Sequence, residues 1–238
     1  MSTQKHIFPK YLVVEGNIGA GKSTFLTMLK KYLNVHIVYE PCEQWQNVGG
    51  ENLLAAFYKD TPRWAYTFQT YAFITRILAQ EAASVVRDHK IQVLERSVYS
   101  DRFCFAKNCY ESGLMSSLEW KLYTEWFAWL TEKYVPIPSA FIYLQTDPEI
   151  CYKRLLKRNR TEENLVPLEY IQKIHEKHES WLIDKQFDSG INLRDVPVLV
   201  LSCNNEFEKD EQEQERLIEK IIVFCKEMFD MPAHELKR

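Results

Sequence analysis

The chain has 238 residues, of which 46% are hydrophobic and 13% aromatic, so it can bury the core of one large α/β domain. Its formal net charge of −3 and its pI near 6.1 argue against general attraction to nucleic acid or to an anionic membrane. No apolar run approaches the ~20 residues that a membrane span needs. We therefore expect a single domain over 1–238 that binds neither nucleic acid nor membrane.

The first predicted strand, Tyr11–Glu15, leads into Gly16–Ser23, which match the phosphate-binding pattern G-x-x-x-x-G-K-[ST] in full. The apolar spacing that follows predicts a helix over Lys22–Leu33. Glycines let the backbone wrap a polyphosphate, so that amide N–H groups and the helix N-terminus face the anion. Lys22 then reaches the transferring phosphates, and the hydroxyl of Ser23 can ligate Mg²⁺.

An ordinary glycine-rich turn is the alternative, and the strand before the pattern and the helix after it argue against that interpretation. The chain is therefore expected to bind ATP or another nucleoside triphosphate through a loop of consecutive residues: Gly16, Asn17, Ile18, Gly19, Ala20, Gly21, Lys22, Ser23 and Thr24.

Further strands and helices alternate along the rest of the chain. The other predicted strands are His36–Tyr39, Ile91–Glu95, Ala140–Leu144 and Val198–Leu201. The other predicted helices are Arg63–Asp88, Tyr99–Glu111, Ser117–Tyr134, Pro148–Arg158, Leu168–Lys185 and Glu213–Met228. This alternation predicts right-handed crossovers and a parallel sheet of about five strands flanked by helices, an α/β fold of the P-loop NTPase type.

Charged residues follow two of the predicted strands. Ligands of parallel sheets bind beyond the carboxyl ends of the strands, where Glu40 follows the second strand and Glu95-Arg96 end the third. Phosphoryl transfer needs a carboxylate for the attacking hydroxyl, a site for Mg²⁺ and cations on the phosphate oxygens. Glu40 and Glu95 can divide the first two tasks, with Ser23 beside the metal, and Arg96 can serve the third. Two surface glutamates are the alternative, and position alone does not decide which glutamate takes the proton.

A second group of cations lies on the helix that follows the fourth predicted strand. Arg154 and Arg158 share one face of a helix, and Arg160 begins the polar segment after it. A solvated basic face is the plain interpretation. The functional one is a lid over approximately 154–167, whose arginines supply positive charge in the transition state.

The long predicted helix Arg63–Asp88 presents an unusual set of side chains on one face. At ~100° per residue, an aromatic ring, an amide, a small residue and a guanidinium fall within one arc. These are Phe68, Gln69, Ala72 and Arg76. They suit a planar, hydrogen-bonding heterocycle better than a plain core, and Asp101 is placed to pair with Arg76.

Together these segments resemble the deoxyribonucleoside kinases, closest to the deoxycytidine/deoxyguanosine kinase branch. The stretches that carry the resemblance span nearly the whole chain: Glu15–Ser23, Glu40-Pro41 with Trp45, Arg63–Tyr71, Glu95–Arg102, Ile142–Gln145, Pro167–Tyr170 and His178–Leu182. The resemblance implies an enzyme that transfers a phosphate from ATP, or from another triphosphate with Mg²⁺, to the 5′-hydroxyl of a deoxynucleoside. It also implies a homodimer.

The resemblance further assigns roles by motif position. At the acceptor these are Glu40 and Arg96 on the 5′-hydroxyl with Glu40 or Glu95 as base, Tyr58 and Glu163 on the 3′-hydroxyl, Gln69 on the base edge, Phe68 and Phe105 on the ring faces, and Trp45 on the pocket wall. Arg154, Arg158 and Arg160 become the lid arginines. Glu206-Phe207 stand where the family carries Asp-Phe near the donor base, so this chain departs from the pattern there.

The same resemblance bears on base specificity. Branches that accept cytosine and purine nucleosides share Arg76 and Asp101, which recognise an exocyclic group and fill the space of a thymine methyl. Ala72 matches the deoxycytidine kinase type. Thymidine is therefore expected to be a poor acceptor, whereas deoxycytidine, deoxyadenosine and deoxyguanosine are not ranked.

Two other function classes stay open at this level: a kinase for nucleoside monophosphates or another small molecule, and a nucleotide-binding interaction protein without turnover.

The six cysteines show no C-x-x-C pair and no zinc spacing, which suits a reducing compartment. Met1–His6 contains no apolar signal core. We expect a cytoplasmic protein, or a mitochondrial one only if a presequence has been removed.

Overall fold

A single parallel sheet organises the computed structural model, which describes residues 10–85, 89–187 and 190–237. Within these ranges the strand order is β2-β3-β1-β4-β5, and every neighbouring pair is parallel. The strands are β1 (Lys10–Glu15), β2 (His36–Val38), β3 (Ile91–Glu95), β4 (Ala140–Gln145) and β5 (Val198–Ser202). The predicted P-loop type of α/β fold is therefore confirmed.

Helices connect and flank the strands. They are α1 (Lys22–Tyr32), α2 (Cys42–Gln46), α3 (Leu53–Lys59), α4 (Thr61–Ala83), α5 (Val98–Ser100), α6 (Lys107–Glu111), α7 (Ser117–Tyr134), α8 (Pro148–Arg158), α9 (Leu168–His178), α10 (Glu211–Phe229) and α11 (Ala233–Leu236). Two π-helical turns, Asp101–Ala106 and Glu179–Ile183, follow α5 and α9, and a 3₁₀ turn covers Thr161–Glu163. No helix in the described part of the chain is long and apolar enough to span a membrane.

Two predicted helices are less regular than their sequence pattern suggests. The helix predicted over Tyr99–Glu111 widens into π-helical geometry in its middle, and the helix predicted over Leu168–Lys185 does so after His178. Lys185 has left-handed backbone geometry with φ of 56°, so it lies outside the helix. An added residue within a turn keeps the apolar spacing nearly intact, and periodicity alone does not detect it.

Capping residues set the starts of two other helices. The helix predicted from Arg63 begins at Thr61, because the Asp60 carboxylate accepts a hydrogen bond from the Arg63 amide and a proline occupies the first turn. Its regular part ends at Ala83, and its predicted end at Asp88 lies outside the described residues. The last long helix likewise begins before Glu213, since Asp210 accepts from the amide of that residue.

The sheet is covered on both faces, as a parallel sheet requires. Side chains of β1 alternate between the two apolar clusters: Leu12 and Val14 enter one, and Tyr11 and Val13 enter the other. The first cluster includes Phe25 from α1 together with residues of α8, α9 and α10. The second includes residues of α3, α4 and α7. That 1–238 form one domain stays a prediction.

The strand order decides where the site lies. The first strand runs between β3 and β4, with Val14 paired to Glu95 and Glu15 to Tyr143. The phosphate-binding loop therefore leaves the middle of the sheet directly beside the end of β3. Strand β2 lies on the other side of β3, so the loop after β2 emerges at the same edge. The charged residues predicted at strand ends therefore lie together at the carboxyl edge of the sheet.

Candidate active site

A cavity of about 970 Å³ opens over this edge of the sheet. Its walls contain most of the residues predicted for donor and acceptor. They are Ile18, Gly19, Gly21, Lys22, Ser23 and Thr24 from the loop and α1; Glu40, Glu95 and Arg96 from strand ends; Trp45, Tyr58, Phe68, Gln69, Ala72, Arg76, Asp101, Phe105 and Glu163 on the acceptor side; and Arg154, Arg158, Arg160, Glu206 and Phe207 on the donor side.

Three residues of the phosphate-binding pattern lie behind the wall. The Gly16 carbonyl accepts a hydrogen bond from Lys22 Nζ at 3.1 Å, and Ala20 is fully buried. Asn17 braces the loop, since its Oδ1 accepts from the Ile18 amide at 2.8 Å and its Nδ2 donates to the Ile171 carbonyl. These residues shape the loop, and their contact with a bound nucleotide stays a prediction.

Glycine is required where the loop packs against α8. A Cβ atom on Gly19, whose φ is 78°, would lie 2.1 Å from the carbonyl oxygen of Cys151 in α8. Real Cβ atoms do not approach backbone so closely, and positive φ is strained for other residues. The phosphate-binding loop and α8 therefore lie in direct backbone contact.

Lys22 and Ser23 face the cavity from the start of α1. Burial lowers the pKa of Lys22 to about 7, and the nearby Arg96 guanidinium acts in the same direction. Ser23 Oγ donates to Glu95 Oε1 at 2.8 Å, which places a hydroxyl and a carboxylate side by side. Two such oxygens, with waters and phosphate oxygens, are what Mg²⁺ takes in phosphoryl-transfer sites. The donor set therefore fits the predicted metal.

Glu40 is held by two arginines. Arg96 Nη1 donates to both carboxylate oxygens at 2.9 Å, and Arg76 Nη2 donates to Oε1 at 3.0 Å. Burial alone would raise the pKa of Glu40, but Arg96 and Arg76 outweigh it and hold that pKa well below its usual range. The carboxylate is thus ionised and fixed in orientation between strand β3 and helix α4.

The predicted pair of Arg76 and Asp101 is present, with Nε to Oδ2 at 2.8 Å and Nη2 to Oδ1 at 3.0 Å. Burial raises the pKa of Asp101, although Arg76 opposes the shift. Arg76 also donates from Nη1 to the backbone carbonyl of Glu95 at 3.2 Å. The helix face of Arg76 and the place of Asp101 after the third strand predict the pair, whereas the links to Glu40 and Glu95 have no sequence signal.

The Arg96 backbone is strained, with φ of 59° in the left-handed region. Its amide donates to the Val14 carbonyl at 2.9 Å, and its guanidinium lies 4.9 Å from the centre of the Phe105 ring. The next residue, Ser97, caps α5 and donates from Oγ to Glu15 Oε1 at 2.6 Å. Contacts on both sides of the turn therefore hold Arg96 between the phosphate-binding loop and Glu40.

Aromatic side chains form the floor of the acceptor side. Phe68 stacks on Phe57, with ring centres 4.6 Å apart, and meets the edge of Trp45 at 5.5 Å. Trp45 is fixed in turn, because its Nε1 donates to Thr75 Oγ1 at 2.9 Å. Phe68 and Phe105 both line the cavity, so the predicted stacking of a base between them fits the geometry and stays a prediction.

The three lid arginines do not all have the same partner. Arg158 and Arg160 both pair with Glu163, the latter at 3.1 Å. Arg154 instead donates to the backbone carbonyls of Cys203 and Asn205, at 2.9 and 2.8 Å. It thereby ties α8 to the loop after β5, which the prediction of a common lid role did not include.

The donor-base region follows β5. Phe207 is buried, and its ring meets Phe25 edge-on at 6.5 Å. Glu206 Oε1 accepts from the backbone amide of Glu208 at 2.8 Å, so its carboxylate already stabilises the loop. Whether these residues touch the donor base stays a prediction.

Comparison with known proteins decides the family. A family model described as deoxynucleoside kinase matches residues 12–226. Deoxycytidine kinase 2 of Gallus gallus is 39% identical, over 94% of this chain and 92% of its own. Deoxycytidine kinase of Homo sapiens is 41% identical over 90% of each chain. Mitochondrial deoxyguanosine kinase of Xenopus laevis is 36% identical, over 94% of this chain and 92% of its own.

The chain belongs to the deoxynucleoside kinase family. The resemblance and the enzyme class drawn from the sequence are therefore confirmed.

Several residues in and around this kinase site were not predicted from the sequence. Phe57 and Tyr170 line the cavity. Phe57 occupies an ordinary apolar position of a helix, and Tyr170 lies in a stretch that carries the family resemblance but was assigned no role in the site. Glu15 ends a buried strand directly before the loop. It is fully buried, and its Oε2 lacks a hydrogen-bond partner among the described residues. An acidic residue inside an apolar strand was the available signal.

Burial gives Glu15 a measurable effect on stability. It raises the pKa of Glu15 from 4.5 to about 7, although the Ser97 hydroxyl opposes the shift. The folded protein thus keeps a proton that the unfolded chain releases. The resulting stabilisation is complete below pH 4.5 and is lost as the pH rises through 7.

We expect Glu15→Gln to gain stability relative to the unchanged protein as the pH rises from 6 to 8, by about 1 kcal/mol. Chemical denaturation of both proteins at the two pH values measures this difference. The lowered pKa of Lys22 acts in the opposite direction over the same range, but it is common to both proteins and cancels. A difference that does not change with pH would contradict a proton on buried Glu15.

Proposed function

We propose that this kinase transfers the γ-phosphate of ATP, or of another nucleoside triphosphate, to the 5′-hydroxyl of a deoxynucleoside, with deoxycytidine among its acceptors. The carrying observation is the fixed Glu40 carboxylate, which Arg96 and Arg76 hold between the phosphate-binding loop and the aromatic acceptor pocket. The names of the relatives, deoxycytidine kinase and deoxyguanosine kinase, support the acceptor class.

The hydrogen bonds suggest different roles for the two glutamates. Glu95 is bonded to Ser23 on the side of the phosphate-binding loop, so we assign it to the metal. Glu40 faces the acceptor pocket and accepts the proton of the 5′-hydroxyl as the new O–P bond forms and the bond to the leaving diphosphate breaks. Its low pKa makes Glu40 a weak base. A weak base is sufficient, because phosphoryl transfer through a loose transition state depends mainly on the orientation of the attacking hydroxyl.

Arg96 lies where donor and acceptor meet. It bonds Glu40 on one side, and its Nη2 is 3.4 Å from the Gly16 carbonyl of the phosphate-binding loop on the other. The guanidinium can therefore orient Glu40 while stabilising negative charge on the transferring phosphate. Mg²⁺, held by Ser23 and Glu95, partly through water, would neutralise charge on the donor phosphates when bound.

The 3′-hydroxyl site combines a phenol and a carboxylate. Tyr58 lines the cavity, and burial raises its pKa, so it remains a proton donor at neutral pH. Glu163 is buried and paired with Arg158 and Arg160. A hydroxyl bound between Tyr58 and Glu163 would satisfy both groups and distinguish the deoxyribose from a free base.

We expect Glu40→Gln and Glu95→Gln each to lower kcat for deoxycytidine about 10²-fold or more, because each removes a charge from the reacting centre. Glu95→Gln should also raise the Mg²⁺ concentration needed for half-maximal rate, whereas Glu40→Gln should not. Coupled ADP-release assays over a magnesium titration measure both effects.

Glu149→Gln, an exposed substitution on α8, is the control and should retain full activity. Full activity in both site variants would contradict the mechanism. Phosphorylation of a nucleotide but of no nucleoside by the unchanged protein would contradict the acceptor class.

Base choice is proposed to depend on Arg76 and Asp101. Both are buried on the cavity wall, where a thymine methyl would meet a charged pair in place of an apolar contact. Ala72 lies one helical turn before Arg76 and leaves room for the ring.

The double substitution Arg76→Met with Asp101→Ala should raise the ratio of kcat/KM for thymidine over deoxycytidine about tenfold or more. The thymine methyl would gain an apolar contact and would no longer meet a charged pair, and together these changes account for about this factor. The ratio is the readout because Arg76 also holds Glu40, and its loss lowers all rates. Arg76→Met alone serves as the comparison, as it leaves Asp101 unpaired and should destabilise the protein. An unchanged ratio would remove these two residues from base selection.

Two neighbouring helices carry an exposed apolar surface that suits a homodimer. On α7 the exposed residues recur every three or four positions, so they form one stripe: Leu118, Leu122, Trp126 and Trp129. Ile74 and Leu78 of the adjacent α4 are also exposed. Contiguous apolar surface of this kind marks interfaces, and an isologous pairing of the stripe with itself would cover it.

We expect the unchanged protein to sediment at twice the 28.3 kDa chain mass. Leu122→Glu with Trp126→Glu should give a monomer, because four charges would face one another across the interface. Val223→Glu, which changes an exposed apolar residue of α10, should stay dimeric. A dimer that survives the α7 substitutions would place the interface elsewhere.

A cytoplasmic location without nucleic-acid or membrane partners is part of the same proposal. All six cysteines are free thiols, five of them buried, as suits a reducing compartment. The mildly acidic charge balance supports the absence of a nucleic-acid partner. Fractionation of cells that express the full chain tests the compartment, and recovery in an organelle would contradict it.

A further inference from the structure

The 3₁₀ turn Thr161–Glu163 carries two successive carboxylates that face different neighbours. Glu163 pairs with the lid arginines Arg158 and Arg160. Glu162 points the other way, and its Oε1 accepts hydrogen bonds from Gln46 Nε2 and Asn52 Nδ2, both at 2.9 Å. One short turn thus joins the arginine-bearing segment to the segment that follows strand β2.

Both partners of Glu162 belong to the helices that wall the acceptor pocket. Gln46 ends α2, which also carries Trp45. Asn52 caps α3, where its Oδ1 accepts from the Ala55 amide at 2.8 Å while its Nδ2 reaches Glu162. Helix α3 carries Tyr58 on the cavity wall. A single carboxylate oxygen therefore holds α2, α3 and the lid turn in one arrangement.

The contact is charge-assisted. The hydrogen bonds from Asn52 and then Gln46 lower the pKa of Glu162, so the group is ionised at neutral pH. Hydrogen bonds to an ionised acceptor are stronger than those between neutral groups. Both donors are neutral side-chain amides.

We propose that Glu162 is a positioning residue that couples occupation of the acceptor pocket to the placement of the lid arginines over the donor. This rests on the proposed function, in which Tyr58 and Glu163 hold the 3′-hydroxyl. A nucleoside that engages these two residues fixes α3 against the 3₁₀ turn. The turn then fixes Arg158 and Arg160 through Glu163.

Without Glu162, the acceptor pocket and the lid arginines both remain, but the hydrogen bonds that connect them are lost. Tyr58 would still stand on α3 and the arginines would still pair with Glu163, but the hydrogen bond from the α3 cap residue Asn52 to the turn would be lost. Such coupling is reciprocal, because each ligand must strengthen the binding of the other by the same factor. Coupled binding thus separates this role from a surface hydrogen bond that only adds stability.

The test measures the dissociation constant of deoxycytidine by calorimetry with and without saturating MgADP, which cannot transfer phosphate. For the unchanged protein we expect binding at least about fivefold tighter with MgADP, the lower end of typical coupling. Glu162→Ala should bring this ratio below about twofold. An equal ratio in both proteins, or a ratio of one in the unchanged protein, would overturn the proposal.

Two matched variants separate the contact from general damage. Asn52→Asp keeps the helix cap but sets a second carboxylate against Glu162, so the ratio should fall as in Glu162→Ala. Combining Asn52→Asp with Glu162→Gln restores an amide–carboxylate pair in reverse and should recover the ratio. Melting temperatures confirm that each variant folds. A folded double variant without recovery would overturn the proposal.

Glu149→Ala removes an exposed carboxylate from α8 and should leave the ratio unchanged; a similar fall there would mean that general charge, and not the Glu162 contact, sets the ratio. Steady-state turnover of deoxycytidine is measured in parallel. Absence of turnover in the unchanged protein contradicts the proposed function. Turnover together with a ratio that Glu162→Ala leaves intact contradicts the role of Glu162 alone.

Discussion

A buried network of two arginines and two carboxylates determines the geometry of this site. Arg76 stands between Asp101 and Glu40, and Arg96 closes the chain on the other side of Glu40. The four formal charges cancel, which makes their removal from water tolerable, but each group depends on its neighbours. Removing one member would leave an unpaired charge inside the protein, a more costly state than losing a surface ion pair.

The network also connects distant parts of the chain. Asp101 belongs to a π-helical turn, Arg76 to a long helix, Arg96 to a strained strand end and Glu40 to the loop after β2. These segments meet only because β1 lies between β3 and β4 and brings the phosphate-binding loop to the centre of the edge. Sheet topology, side-chain charge and backbone strain therefore all determine the position of Glu40 and its two arginines.

How much of this was predictable depends on the range of the interaction. The strands and the loop are local patterns, so their positions follow from apolar runs and one motif. Ligands of parallel sheets bind beyond the carboxyl ends of the strands, which predicts that Glu40, Glu95 and Arg96 lie together. The bond from Arg76 to Glu40 is a tertiary contact with no periodic signal.

Other parts needed information beyond the pattern. Helices α2 and α3 span five and seven residues, too short for an apolar period to develop. The assignments of Tyr58, Phe105 and Glu163 came from resemblance to a family and from no spacing rule. The acidic side chain of Glu15 was an available signal, but its full burial does not follow from its place at the end of a strand.

The contact between Gly19 and the Cys151 carbonyl limits how the donor site can move. It seats the phosphate-binding loop on α8, and Arg154 fastens the same helix to the loop after β5. Helix α8 ends at Arg158 and is capped by Asn159, whose left-handed backbone with φ of 51° changes the direction of the chain before the 3₁₀ turn. The phosphate-binding loop, α8 and the loop after β5 are thus joined through Gly19 and Arg154, whereas Arg158 and Arg160 are paired with Glu163 beyond the change of direction at Asn159. The three arginines therefore belong to two differently anchored groups, a division that their spacing in the sequence does not show.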